Sequence, residues 1–197
     1  MAEHERDVRQ MFQKFVPKEV LDKIIHGSVN GKPIIEEIRT ITLLNIDIRG
    51  FSQTAMQIGS QKTVSLLNSF FSAMGGIVFK HHGIVDKYLK GKLGVSVTMG
   101  ISIHTGEVVV GNIGFEKKMD YTVIGDSVNT VFRLQNLTKS ISNGILISEH
   151  TLRAVRTRLG VAEVEMTENI SKEVGQMKVF ELLDRRMEKA AVAAVAN

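Results

Sequence analysis

Apolar residues recur along this chain at two spacings, and the switches between them mark its elements. Val8, Met11, Phe12 and Phe15 sit three and four apart, and so, after Pro17 at a favoured first helical position, do Val20, Leu21, Ile24 and Ile25. Glycines, Asn30 and Pro33 make Gly27–Pro33 a loop. Arg39–Asp47, RTITLLNID, then predicts a strand, apolar on both faces in its second half as a buried central strand would be. Ser60–His81 returns to helical spacing through Val64, Leu67, Phe71, Met74 and Val78, with Ser60 as its cap and Gly83 as its stop. Ile84–Leu89 reads as a strand. Gly94–Gly114 alternates around Gly106 and predicts a hairpin turning there, with His104 and Thr105 as ordinary turn residues beside it, followed by an exposed loop over Phe115–Met119. Tyr121–Ile124 is a strand. Past Gly125, Val128, Phe132 and Gln135 lie one turn apart on a helix. A strand at Gly144–Ser148, a basic helix at Glu149–Leu159 and closing strands at Ala162–Glu168 and Lys178–Leu183 complete the order. The plan is α+β, ferredoxin-like, with helices packed on a mostly antiparallel sheet. It divides into a helical lead-in and loop (1–33), one domain (34–184) and a tail (185–197).

Composition narrows the class. With 197 residues, 43% of them hydrophobic and 23% charged, the chain suits one globular domain with short appendages. It has no cysteine, which excludes disulfide and thiol chemistry and fits a reducing, cytoplasmic setting. A net charge of +4 is too mild to argue for nucleic acid. No charge-free apolar run is long enough to span a bilayer, and MAEHERDVRQ does not read as a signal peptide. The expectation is a domain without membrane contact of its own, with room for an anchor on a longer parent.

Two stretches carry candidate chemistry. In DYTVIGDSVNTVFR, Asp120–Arg133, a strand gives way to a helix over a glycine, which brings helix N–H groups to one rim, a natural place for an anion. Asn129 and Arg133 are four apart and share a helix face. An amide beside a guanidinium suits a ribose oxygen and a developing phosphate charge; the same pair also fits an ordinary solvated face. In the second stretch, Asp47 ends an apolar strand just before the turn Ile48-Arg49-Gly50-Phe51-Ser52. A carboxylate there suits a hard cation such as Mg²⁺, and equally a helix N-cap.

Taken together, D-I-R-G-F-S, V-D-K-Y-L, G-I-x-x-x-x-G-x-V-x-x-G-x-I-G and D-Y-T-V-I-G-D-x-V-N-x-x-x-R resemble the catalytic domain of the class III adenylyl and guanylyl cyclases, over roughly residues 38–183. The resemblance implies conversion of ATP to cyclic AMP and pyrophosphate, with two Mg²⁺ or Mn²⁺ ions, at sites shared between the two subunits of an antiparallel homodimer. By that resemblance Asp47 and the carbonyl of Ile48 bind metal, and the turn of Arg49, Gly50, Phe51 and Ser52 binds phosphates. Lys87 reads the adenine, with Thr122 and the backbone of Val123 on the base edge. Asn129 orients the ribose, Arg133 stabilises the α-phosphate, and Lys172 is a further phosphate contact. The Thr at position 122 is like that of the subclass related to bicarbonate-responsive cyclases.

One departure stands out. The family follows V-D-K-Y-L at once with Gly-Asp, whose Asp is the second metal ligand, and then with a strand and a helix. This chain runs Lys90-Gly91-Lys92-Leu93 into the next alternating segment. A link of about four residues spans at most roughly 14 Å. The expectation is therefore that the sequence omits a segment between about Leu89 and Lys92, and that the parent protein carries the Gly-Asp pair there. The competing reading is a non-catalytic nucleotide-binding domain that has lost that ligand; a guanylyl cyclase is opposed by Lys87 with Thr122.

Overall fold

The computed structural model describes residues 36–83, 99–115, 118–141, 144–156 and 159–183. The helical lead-in, the strand at Ile84–Leu89 with Lys87, the omission near Leu89–Lys92 and the C-terminal tail, all expected from the sequence, lie outside the described residues. By its contacts the chain falls into two compact units. One holds Thr40–Leu67, Lys90–Val108 and Gly125–Asn197; the other holds Met1–Arg39, Asn68–Leu89 and Val109–Ile124.

The strands are β1 (Glu37–Ile48), β2 (Met99–Phe115), β3 (Lys118–Ile124), β4 (Ile145–Ser148), β5 (Val161–Glu163) and β6 (Val179–Leu182). The helices are α1 (Phe51–Ile58), α2 (Ser60–Lys80), α3 (Asp126–Leu137, continued by a 3-10 turn over Thr138–Ser140), α4 (Glu149–Ala154) and α5 (Glu168–Val174). The strand order is β1-β2-β4-β6-β5, with β3 also on β2. The β2–β4 pair is parallel, while β2–β3, β4–β6 and β5–β6 are antiparallel. This is the mixed, mainly antiparallel α+β sheet that the sequence predicts.

In the first unit the core gathers where α3 covers β4 and β6. Leu134, Leu146 and Val179 are each 0% exposed, with Leu137, Ile141, Val164, Val174 and Met177 packed against them. Each such fully buried aliphatic side chain contributes about 1.5–3 kcal/mol. Two short helices are capped as their sequences dictate: Ser148 Oγ accepts from Thr151 N at 3.2 Å and Thr167 Oγ1 from Ile170 N at 3.4 Å.

Several expectations are corrected. No hairpin turns at Gly106: β2 runs straight through it for 17 residues, and the antiparallel partner is β3, registered from Val109↔Ile124 to Phe115↔Lys118. Gly106 is there for closeness, since a Cβ on it would come under 3.0 Å from Ser127 Oγ and to 3.0 Å from His104 Nε2. The strands therefore occupy most of the loop expected over Phe115–Met119. β1 stands at the end of the strand order rather than at its centre, and Leu44 is half exposed. On α3 the buried face is Val131, Leu134 and Gln135, whereas Phe132 is 42% exposed; on α2, Val64 is exposed. Helix α2 ends with His82, not Gly83, in the left-handed conformation (φ 59°), and Gly83 N donates to Val78 O at 2.9 Å. The basic helix at Glu149 stops at Ala154. The first closing strand is short, and Thr167 opens helix α5, which the apolar pattern did not reveal.

Candidate functional site

The turn after β1 has the form its sequence demands. Asp47 is partly exposed at the strand's end, Ile48 and Phe51 are buried, and Gly50 takes φ 68° in the left-handed region, open to a residue without a Cβ. Gly50 stands at the N-cap of α1, so no Asp47 cap forms there. Ser52 is exposed. The guanidinium of Arg49 turns inward: its Nη2 donates to the backbone carbonyl of Thr138 at the end of α3.

Among the described residues, no three His, Cys, Asp or Glu side chains cluster as a metal site. The donors at this turn, one carboxylate and the adjoining carbonyl of Ile48, would suit a divalent ion such as Mg²⁺ or Mn²⁺, a hard cation that takes oxygen ligands. Two ions would need a further carboxylate beside Asp47.

The α3 stretch assembles its pair as expected. Gly125 (φ 155°) lets the chain leave β3 tightly, where a Cβ would stand 3.3 Å from Glu107 O and Val108 Cα. No side chain caps α3, and its first turn carries Asp126. Asn129 and Arg133 are both exposed, one turn apart, on the face opposite the buried Val131–Leu134–Gln135 stripe. In the other unit, Thr122 and Val123 lie on β3, with Thr122 opposite Gly111 and Val123 opposite Val110. Glu36 packs over Gly111, where a Cβ would meet its Cγ at 3.0 Å. Lys172 is exposed on α5 and pairs with Glu168 at 2.7 Å.

Arg133 also borders a cleft of about 980 Å³ lined by Asp126, Ser127, Thr130, His104, His150, Arg153 and Glu173. His104 is the residue that sequence reasoning missed by taking it for a turn residue. It is 6% exposed, its Nδ1 lies 2.9 Å from Ser148 Oγ, and its ring meets His150 edge-on at 5.5 Å. Burial first, then the charge of His150, push its pKa below the usual histidine value, while Asp126 pulls the other way. The available signal was the unbroken alternation of Ile101, Ile103 and Thr105 against Ser102 and His104, which places His104 on one strand face with Ser102.

The family profile of the adenylate and guanylate cyclase catalytic domain matches residues 84–183, and the chain belongs to that family. An adenylate cyclase of Anabaena cylindrica is 29% identical, over 72% of this chain and 36% of its own length. The terminal-differentiation specific adenylate cyclase of Dictyostelium discoideum is 22% identical, over 95% of this chain and 11% of its own. The chain thus spans about a third or less of these relatives. A bacterial light-regulated adenylyl cyclase has the same fold, with a TM-score of 0.74 at 18% identity, over 97% of this chain and 67% of that one. The two sequence matches share a further feature. The 181 aligned positions of the first draw on about 142 residues here, and the 226 of the second on about 187. In each match, about 39 aligned positions have no residue in this chain. Among the described residues, no helix is long and apolar enough to cross a membrane.

Proposed function

We propose that this domain is an adenylyl cyclase that converts ATP to cyclic AMP and pyrophosphate at sites shared between two antiparallel copies. The observation that carries the reading is the pairing of exposed Asn129 and Arg133 on one face of α3, directly after the Thr122 strand, in a chain of the cyclase family. The ribose 3′-oxygen attacks the α-phosphorus in line and gives its proton to water, and the bond from that phosphorus to the pyrophosphate oxygen breaks. Asn129 holds the ribose so that the 3′-oxygen faces the phosphorus. Arg133 stabilises the charge that builds on the α-phosphate oxygens. Lys87 donates to adenine N1, and the Thr122 hydroxyl accepts from the adenine amino group. The N–H groups of the turn at Arg49–Ser52 hold the triphosphate, with Lys172 as a further cationic contact once its pairing with Glu168 is exchanged. A divalent ion held by Asp47 and Ile48 would lower the pKa of the 3′-hydroxyl and offset phosphate charge. Asp47 of one copy works with Lys87, Thr122, Asn129 and Arg133 of the other.

A second reading is favoured by one observation. The chain has no Gly-Asp after Leu89, the pair that by the family resemblance carries the second metal carboxylate. On this reading the domain binds nucleotide without cyclising it. Incubation with ATP and, separately, GTP, each with Mg²⁺ and with Mn²⁺, separates the readings. Cyclic AMP from ATP supports the first. Nucleotide binding without product supports the second, and cyclic GMP from GTP alone makes the domain a guanylyl cyclase.

A further inference from the structure

Arg49 lies two residues past Asp47 and next to the left-handed Gly50, in a turn where an exposed guanidinium would cost nothing. It is held inside instead. Nη2 donates to the Thr138 carbonyl, and Nε is buried without a partner. The guanidinium lies against Gly144, where a Cβ would stand 2.8 Å from Nη2 and 2.7 Å from Met99 O. Gly144 itself has φ 67°, so both its conformation and its missing side chain make room for Arg49.

The acceptor is part of a buried polar network. Thr138 is 1% exposed, and its Oγ1 donates to Gln135 O at 2.7 Å. Gln135 Nε2 donates to Gly100 O at 3.0 Å, and its Oε1 lies 3.0 Å from Ser102 Oγ. Ser102 Oγ in turn lies 2.8 Å from Val131 O on the same helix. Arg49 therefore places a cation at the negative end of the α3 dipole and joins its turn to a network running along the buried side of that helix.

We propose that Arg49 is a positioning residue that locks the Asp47 turn to the C-terminal end of α3, the helix carrying Asn129 and Arg133. Its link to catalysis rests on the cyclase reading above; the lock itself does not. A side chain serving phosphates directly would keep its donors free toward the turn's open side, whereas here they are directed into the protein. The planar fork also explains why Arg occupies the position. A Lys reaches one carbonyl but cannot lie flat against Gly144 while doing so.

The test is amide hydrogen exchange on the full chain, comparing wild type with Arg49→Met, Arg49→Lys and Gly144→Ala. Methionine keeps the apolar stem and removes the donors; Gly144→Ala displaces the guanidinium from the far side. Exchange at residues 48–52 and at 136–141 rises together, about tenfold in Arg49→Met and less in Arg49→Lys, while 145–148 and 179–182 are unchanged. Gly144→Ala reproduces the same paired rise at 48–52 and 136–141. If wild type makes cyclic AMP, Arg49→Met lowers kcat about tenfold with little change in KM, and Arg49→Lys recovers part of it. Faster exchange at 48–52 alone overturns the lock. So does a raised KM for ATP with unchanged exchange at 136–141, which would make Arg49 a phosphate ligand. A wild type without cyclase activity defeats the cyclase reading and leaves the paired exchange to decide the lock.

Discussion

His104 on β2 and Ser148 at the end of β4 meet in the buried interior, with Nδ1 2.9 Å from Oγ. The contact continues through hydroxyls: Ser148 Oγ lies 3.1 Å from Thr151 Oγ1, Thr105 Oγ1 donates to Thr151 Oγ1 at 3.2 Å, and Thr42 Oγ1 lies 3.0 Å from Thr105 Oγ1. Burial and the neighbouring His150 hold His104 neutral, against the opposing pull of Asp126. The unfolded chain takes up this proton near pH 6.5, and the folded chain does so only at a lower pH. Between those two values the unfolded state binds more protons. His104 therefore contributes full stability above about pH 6.5 and loses it as pH falls toward the lowered value. Urea denaturation at pH 5.5 and pH 8 should show the wild type weaker at the lower pH. In His104→Gln that pH difference should shrink, on a lower overall stability. An equal pH difference in the variant would assign the titration to another group.

Arg133 and Asp47 test the shared site. Both side chains are at least partly exposed, so Arg133→Ala and Asp47→Ala should fold normally. Arg133→Ala should lower kcat by about 10²–10³-fold, the usual scale for removing a transition-state charge partner. Mixing the two inactive variants should restore about a quarter of wild-type activity, since half of randomly formed two-fold dimers are mixed and each carries one intact site. No recovery, with mixed dimers verified by native mass spectrometry, would place all the residues of a site on one chain.

Lys87 and Thr122 set the expected base preference. Lys87→Glu replaces a donor to adenine N1 with an acceptor, which suits the N1–H of guanine. The ratio of kcat/KM for ATP over GTP should fall by at least about tenfold. An unchanged ratio would remove Lys87 from the base site.

Gly106 tests the straight course of β2. Gly106→Ala drives a methyl group onto Ser127 Oγ and against His104 Nε2, and should destabilise the protein by about 1–3 kcal/mol. Ser127→Gly should recover part of that loss. A turn residue at a hairpin tip would instead tolerate alanine wherever its φ is negative, so a thermally neutral Gly106→Ala would contradict the close approach.

Local pattern was enough to place most of the elements and the pair on α3. Helical spacing puts Asn129 and Arg133 on one face whatever lies around them, and a strand of apolar residues ended by Asp47 before Gly50 shows where its turn begins. These features depend on backbone geometry alone, which the sequence encodes residue by residue. Partners distant in the chain were decided by the tertiary structure. Alternation about Gly106 is the same in a hairpin and in one long strand, and only the pairing of β2 with β3 distinguishes them. Phe132 and Val131 are equally apolar, and packing against β4 and β6 selected the stripe through Val131 and Leu134. His104 read as a turn residue until Ser148, 44 residues later, arrived beside it. The sequence placed Arg49 in the phosphate-binding turn but said nothing of its guanidinium, which meets the Thr138 carbonyl, 89 residues away, only in the fold. Which donor meets which acceptor in a buried interior depends on chain segments that are remote in sequence, and no local periodicity carries that information.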